Sequence, residues 1–484
     1  MKRPILFTTA LLASGLLLAG CTATAATVAE GTVSTAQPTA VATSDSDLAP
    51  AAVMASNADY TTVNEDEWSL DDAVEVRLTG SGADTSASGV STSGGTVTIT
   101  EAGVYRLSGS LSGQLVVAAP DDALVVLVFD GVDILNEAGA AIEVRTADDV
   151  VIHLTDGSQN RISDASTYAE EAEADAAIHS ETDLTISGTG SLTVAGNGND
   201  GIVSKDDLVI LGGTITVNAV DDALRGKDAL VVEGGTLELT SISGDGMKSN
   251  GDEGDASADI DWTRGYIYVS GGEISIDAGD DGLQAFTDTV IAGGTVTASV
   301  VDDGVKGEVI VSIGGIADTE APVVTVTAST EGIEAANIGI SGGAVEVIAS
   351  DDGINASGNA ELQSLIAGTE FAGVADREAD TGERLEVSGG TITIVAGADG
   401  LDSNGTVTVT GGSVTITSAA NGGDGPIDGN GAVSVADGTV IANGAAWVAS
   451  MATSMGPGGG TPGGATPGGG APSQGQPGGE RAGG

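Results

Sequence analysis

From about residue 95 onward, short runs of alternating apolar and polar residues recur, and glycine breaks each run. Leu208 and Ile210, Leu230 and Val232, Ile267 and Val269, Leu385 and Val387, and Val407 and Val409 precede Gly-Gly pairs. Ile215 and Val217, Leu237 and Leu239, Ile274 and Ile276, Val345 and Val347, Ile392 and Ile394, and Val414 and Ile416 follow them. A period of two with one apolar face predicts half-buried strands, and the glycines predict tight turns between them. The pairs begin at Gly212, Gly234, Gly271, Gly293, Gly314, Gly342, Gly389 and Gly411, with gaps of 22, 37, 22, 21, 28, 47 and 22. The longer gaps read as the same unit carrying an insertion.

A repeat near 22 residues with three short strands per turn predicts an all-β, right-handed parallel β-helix in which Val, Ile and Leu stack along the axis. Residues 95–195 read as irregular early coils of the same solenoid, as terminal repeats usually are. Composition agrees: aromatic residues are 2% of the chain and glycines number 76, so the core must be built from small β-branched and aliphatic side chains.

A second marker runs with the first. Asn199-Asp200-Gly201, Asp221-Asp222-Ala223, Gly244-Asp245-Gly246, Asp280-Asp281-Gly282 and Asp302-Asp303-Gly304 belong to it. So do Thr330-Glu331-Gly332, Asp351-Asp352-Gly353, Ala398-Asp399-Gly400 and Gly423-Asp424-Gly425. The markers absorb insertions where the glycine pairs do, so stacking predicts a column of carboxylates along one edge. Charges spaced at the strand distance of about 4.8 Å repel by about 3–4 kcal/mol at an effective dielectric of 20. Lys205, Arg225, Lys227, Lys248 and Lys306 follow the early turns, but no basic residue follows an acidic turn beyond Lys306. Calcium would relieve the remainder, with Asp200, Asp221, Asp222, Asp245, Asp280, Asp281, Asp302, Asp303, Asp351 and Asp352 as candidate ligands. The plainer alternative is that Asp-Gly is simply good turn chemistry.

The net charge of −55 excludes nucleic acid as a partner. Lys2 and Arg3, an apolar stretch from Ile5 to Leu18 and the run Leu18-Ala19-Gly20-Cys21 resemble a bacterial lipoprotein signal. The expected plan is a signal peptide at 1–20, lipidation at Cys21, a flexible Ala/Thr/Ser-rich stalk at 21–63, the β-helix at 64–450 and a disordered Gly/Pro-rich tail at 451–484. Such a chain is exported and meets the membrane of the cell surface only through its lipid anchor. It is expected to be a monomer.

Asp175-Ala-Ala-Ile178, Asp183-Leu-Thr-Ile-Ser-Gly-Thr-Gly190, Gly201-Ile-Val-Ser-Lys-Asp-Asp-Leu208, Asp221-Asp-Ala-Leu-Arg-Gly-Lys-Asp228 and Ser243-Gly-Asp-Gly246 resemble the bacterial carbohydrate-binding β-helix family. Its characterised clostridial member binds cellulose and acidic sugars. The resemblance spans roughly residues 65–445. It implies a pectate-lyase-like fold, calcium at acidic turns and a plant or microbial polysaccharide as ligand, without established catalysis.

Three functions follow as expectations. The first is a polysaccharide-binding protein, in which Trp262, Tyr266 and Tyr268 could form a sugar-stacking patch, because the tyrosines alternate with inward Ile267 and Val269 and should face solvent. The second is a calcium-dependent polysaccharide lyase, which needs a base to take the proton beside a uronate carboxylate. Arg225, Lys227 and Lys248 are its candidates, although an arginine among aspartates is more often a charge partner. The third is a structural spacer or adhesin. His153 and His179 sit in no metal or nucleophile motif.

Overall fold

The computed structural model describes residues 46–448 except 170–171, 253–259, 318, 367–372, 374–378 and 420–423. The expected signal peptide, Cys21 and the glycine- and proline-rich tail lie outside the described residues.

The described chain is all-β, with 38 strands joined in one hydrogen-bonded sheet and two short α-helices, α1 (Pro50–Met54) and α2 (Asn359–Ile366). Three pairings are antiparallel, and all three lie at the ends: Val74–Gly80 with Ala83–Thr85, Val90–Ser93 with Thr96–Ile99, and Val440–Ala442 with Ala445–Ala446. The rest are parallel. Through the regular middle, a strand pairs with the third strand before it and the third after it. Ser191–Gly196 pairs with Thr214–Ala219 at an offset of 23 residues, and Thr214–Ala219 pairs with Thr236–Ser241 at an offset of 22, both in register. The insertions predicted in the long gaps leave this register intact: Leu237 still faces Ile274, and Val345 faces Ile392.

Register explains the core. Leu192, Ile215, Leu237, Ile274 and Val296 form one buried stack, and Ile202, Leu224, Met247, Leu283 and Val305 form another. Like side chains packed on like at each rung fill these stacks without aromatic rings, and Tyr105 and Phe129 join the core only in the early strands. The glycines permit the stacking in two ways. Gly235 takes φ +95°, which an L side chain rarely adopts, and the second glycine of most of the other pairs does the same. Gly282, in an acidic turn, has ordinary φ, but a Cβ there would sit 2.3 Å from the Gly304 carbonyl oxygen of the next repeat.

The segment 46–63 is packed, which corrects the expected flexible stalk over those residues. Leu48, Val53 and Val63 are buried. The segment runs as a strap over one outer face of the strands, from late repeats to early ones. Ser46 donates to Glu386 and Asp47 meets Arg384, while the Leu48 carbonyl accepts from Ser312. Farther on, Thr61 N–H donates to Asp207 and Val63 N–H to Thr185, and Trp68 lies edge-on to His153. The face beneath is apolar on its outer side: Val126, Val128, Val151, Val209 and Val231 are fully buried. Strands covered on both faces read as continuous apolar runs, such as Leu208-Val-Ile210 and Leu230-Val-Val232.

Candidate functional site

The two acids of each marker have different fates. Asp280 and Asp302 are exposed and Asp221 is half-buried, whereas Asp200, Asp222, Asp245, Asp281 and Asp303 are buried. Asp200, Asp222, Asp245 and Asp281 each accept the backbone N–H of the counterpart one repeat on. Asp222 N–H donates to Asp200 at 3.1 Å, Asp245 to Asp222 at 2.9 Å, Asp281 to Asp245 at 2.9 Å and Asp303 to Asp281 at 2.7 Å. After the break at Glu331 the ladder resumes, with Asp399 N–H donating to Asp352 at 2.7 Å and Gly425 N–H donating to Asp399. The column is thus a row of staples between stacked turns. Each staple satisfies a backbone amide with a carboxylate of the repeat before it.

Burial dominates the acidities. It pushes Asp222 up to about 6, Asp281 to about 7 and Asp200 to about 8, against the opposing pull of nearby bases. Those bases stand three residues after the buried acid, on one outward column whose register runs Arg225, Lys248, Gln284, Lys306, Glu334, Asn355, Asp402. Arg225 bridges Asp175 and Asp200 at 2.6 Å each. Lys248 meets Asp245 at 2.9 Å, and Lys306 meets Asp303 at 2.6 Å and Glu334 at 3.0 Å. Lys227 lies off this column, between Asp228 and Asp252.

Of the lyase candidates, Arg225 and Lys248 are therefore bound into the acidic column as charge partners. Burial alone would loosen the Arg225 proton, but Asp200 and Asp175 outweigh it and raise the pKa further, so a deprotonated guanidine is disfavoured. His179 sits with both ring nitrogens on carboxylates, Nδ1 on Asp175 at 3.0 Å and Nε2 on Glu181 at 2.7 Å.

Beyond Lys306 the outward column turns acidic or neutral. Carboxylate oxygens come within 4.8 Å of one another in four trios: Asp280, Asp281 and Asp302; Asp303, Glu331 and Glu334; Asp399, Asp402 and Asp428; and Asp183, Asp206 and Asp207. Among the described residues, Asp200, Asp221, Asp222, Asp245, Asp351 and Asp352 fall in no such trio. Burial raises Asp399 to about 7, and Asp352, Asp402 and Asp428 push it the same way. The Oδ1 of buried Asn355, in register with Asp402, has no hydrogen-bond partner. Glu334, Asp402 and Asp428 were not singled out from the sequence. For the first two the signal was present, since both stand three residues after a marker acid, where the early repeats carry bases.

The aromatic expectation is corrected in part. Tyr266 does not face solvent: it is 1% exposed beneath the strap, and its hydroxyl donates to the Ala58 carbonyl. Tyr268 is half-buried, with its ring 6.3 Å from that of Tyr60, a strap residue. Trp262 stacks on Phe286 at 5.5 Å and 16°.

A sequence profile described as "Carbohydrate-binding domain-containing protein" matches residues 93–372, more than half of the chain. The chain belongs to this carbohydrate-binding domain family. A carbohydrate-binding domain-containing protein of Acetivibrio thermocellus (strain ATCC 27405) is 35% identical over 230 residues, which are 46% of this chain and 78% of the relative. Among solved structures, the polysaccharide lyase-like protein from C. thermocellum, in a gadolinium derivative, matches at 30% identity and a TM-score of 0.44. That match covers 54% of this carbohydrate-binding domain protein and 96% of the solved chain.

Proposed function

We propose that this member of the family is a right-handed parallel β-helix, lipid-anchored at Cys21 to the outside of the cell, that binds acidic polysaccharide through calcium held at its late acidic turns. Polysaccharide binding in general follows from the family. The finer reading rests on one observation, the convergence of Asp399, Asp402 and Asp428 within 4.8 Å of one another. The groups acting on Asp399 from this cluster are carboxylates that raise its pKa, in contrast to the lysine- and arginine-balanced early turns. Oxygen-only donors of this kind suit calcium, which takes six to eight oxygen ligands at about 2.4 Å. Asp399, Asp402, Asp428 and the unpartnered Asn355 Oδ1 would hold it. Bound there, calcium supplies the positive charge that a uronate carboxylate needs in order to approach an acidic protein.

Through the regular middle, the parallel pairing of a strand with the third strand on, at offsets of 22 or 23 residues, supports the solenoid, and the usual right-handed crossover supplies its hand. Lyase activity is the weaker reading, because Arg225 is held between two carboxylates and its proton is stabilised.

Affinity electrophoresis of the full chain through polygalacturonate, with calcium and then with chelator, tests the proposal. Retardation that chelator abolishes, and that Asp402→Asn weakens, is expected. Equal mobility in gels with and without polygalacturonate at saturating calcium would overturn it.

A further inference from the structure

Between α1 and Tyr60 the strap covers a carboxyl that lies outside the acidic markers. Asp288 opens the strand Asp288–Ile291, over which α1 packs. Ile267 pairs with Thr289 and Tyr268 with Val290, so Asp288 shares the outer column of Tyr266, whose hydroxyl holds the Ala58 carbonyl. The next rung of that column is apolar, since Asp288 faces Ile310 in register. Asp288 is 5% exposed, and no charged group acts on it. The Asn57 side chain, from the strap, and the Ile310 N–H pull its acidity down, yet burial outweighs them and lifts it to about 7. Neither Asp288 Oδ1 nor Asn57 Nδ2 has a hydrogen-bond partner. An ionised carboxylate there would lack both water and a counter-charge, so the closed strap favours the protonated acid. The other titratable groups near the strap stand farther along it, where Asp59, Asp183, Asp206, Asp207, Asp228 and Arg264 line a cavity of about 180 Å³ beside Thr61.

We propose that Asp288 makes the strap a pH-controlled clasp, shut over the protonated acid and released when it ionises. Lifting the strap admits water to the carboxyl and returns it toward its ordinary value of 3.8. Asp288 thus holds its proton more tightly under the closed strap than under the open one. It favours closure fully below pH 4 and loses that contribution as pH rises through about 7. Opening at this position therefore gains about tenfold between pH 6 and pH 8. Met54 and Tyr60, which pack with Val209, Val231 and Tyr266, lift with it, so ionisation of one side chain uncovers part of the outer apolar face. The clasp needs neither cation nor ligand.

Hydrogen exchange of the full chain in chelator, at pH 6 and pH 8, tests this. Peptides covering residues 50–63 are read by mass spectrometry, with rates corrected for the intrinsic pH dependence. Within them the Ala58 N–H, which donates to the Thr263 carbonyl at 2.8 Å, reports the clasp. Between pH 6 and pH 8 the wild type should lose about tenfold more protection there than Asp288→Asn. Peptides from the strand Thr391–Val395, away from the strap, should change equally in both proteins. If Asp288→Asn fails to fold by circular dichroism, Asp288→Ile, which repeats the residue of the next rung, takes its place with the same expectation. Equal loss of strap protection in wild type and variant overturns the inference. A tenfold difference that appears equally in the Thr391–Val395 peptides also overturns it, since the carboxyl would then act on the whole fold and not on the strap.

Discussion

The staples between acidic turns can be tested one rung at a time at Asp281. Its carboxylate is 3% exposed and accepts the Asp303 N–H at 2.7 Å. Asp281→Ala removes the acceptor and strands a buried amide, which costs about 1–3 kcal/mol. Asp281→Asn keeps an oxygen at Oδ1 and removes only the ionisable group, so below pH 6 it should cost less than about 1 kcal/mol. The two variants separate further with pH. Burial raises Asp281 from 3.8 to about 7, so the folded protein holds this proton more tightly than the unfolded chain. A group of that sign stabilises the fold fully below pH 4 and loses its contribution as pH climbs to about 7. The whole loss is about 4 kcal/mol, and about 1 kcal/mol of it falls between pH 6 and pH 8. Asparagine does not titrate, so Asp281→Asn should gain about 1 kcal/mol on the wild type over that interval. Urea midpoints in chelator at pH 6 and pH 8 measure this, and hydrogen exchange at the Asp303 amide reports the rung itself. If asparagine proves as damaging as alanine at pH 6, the carboxylate is needed for its charge and the staple account fails.

Other consequences are as direct. Arg225→Ala removes the bridge to Asp175 and buried Asp200 and should destabilise most above pH 8, where Asp200 must ionise without its counter-charge, read as a drop in the urea midpoint that grows with pH. A melt indistinguishable from wild type would instead free Arg225 for catalysis. The double variant Asp402→Asn, Asp428→Asn should abolish any calcium-induced rise in melting temperature, while Asp221→Asn, which belongs to no trio, should leave it intact. Val53→Asp places a charge where the side chain is 1% exposed and should release the strap. Limited proteolysis near Ala58 measures that release. Gly282→Ala drives a methyl to 2.3 Å from the Gly304 carbonyl and should lower thermal stability more than Gly438→Ala, which meets nothing despite its φ of +81°.

Strand positions, their spacing and the tolerance of insertions were legible because the core repeats a simple alternation, as the in-register stack of Leu192, Ile215 and Leu237 illustrates. The acidic column was legible as a column, but its inner and outer members were not. Asp280 and Asp281 are the same residue type one position apart, and only the turn geometry turns the second toward the next repeat's amide. The strap was the main omission. Residues 46–63 have no period of their own and take their structure from the face they cover. The clue lay elsewhere, in the unbroken apolar runs Leu208-Val-Ile210 and Leu230-Val-Val232, which say that something covers the far side. Tyr266 was assigned to solvent for the same reason: alternation gives its face correctly, but not what lies on that face.

A stack of repeats without cross-ties unfolds from its ends, since each repeat answers only to its neighbours. Here Ser46 bonds to Glu386, 340 residues away, Tyr60 to Glu233, and Val63 to Thr185, so one short segment is fastened to rungs all along the stack. Melting of the late rungs releases the strap's far end and weakens its hold on the early ones, which couples the two ends into a single transition. Timing follows as well. The strap is synthesised before every rung it fastens, so on the ribosome its far end, at Ser46 and Asp47, must wait undocked until the strand at Arg384–Val387 has emerged. The first-made part of the body is therefore docked from its near end, at Thr185, well before its far end can close on Glu386.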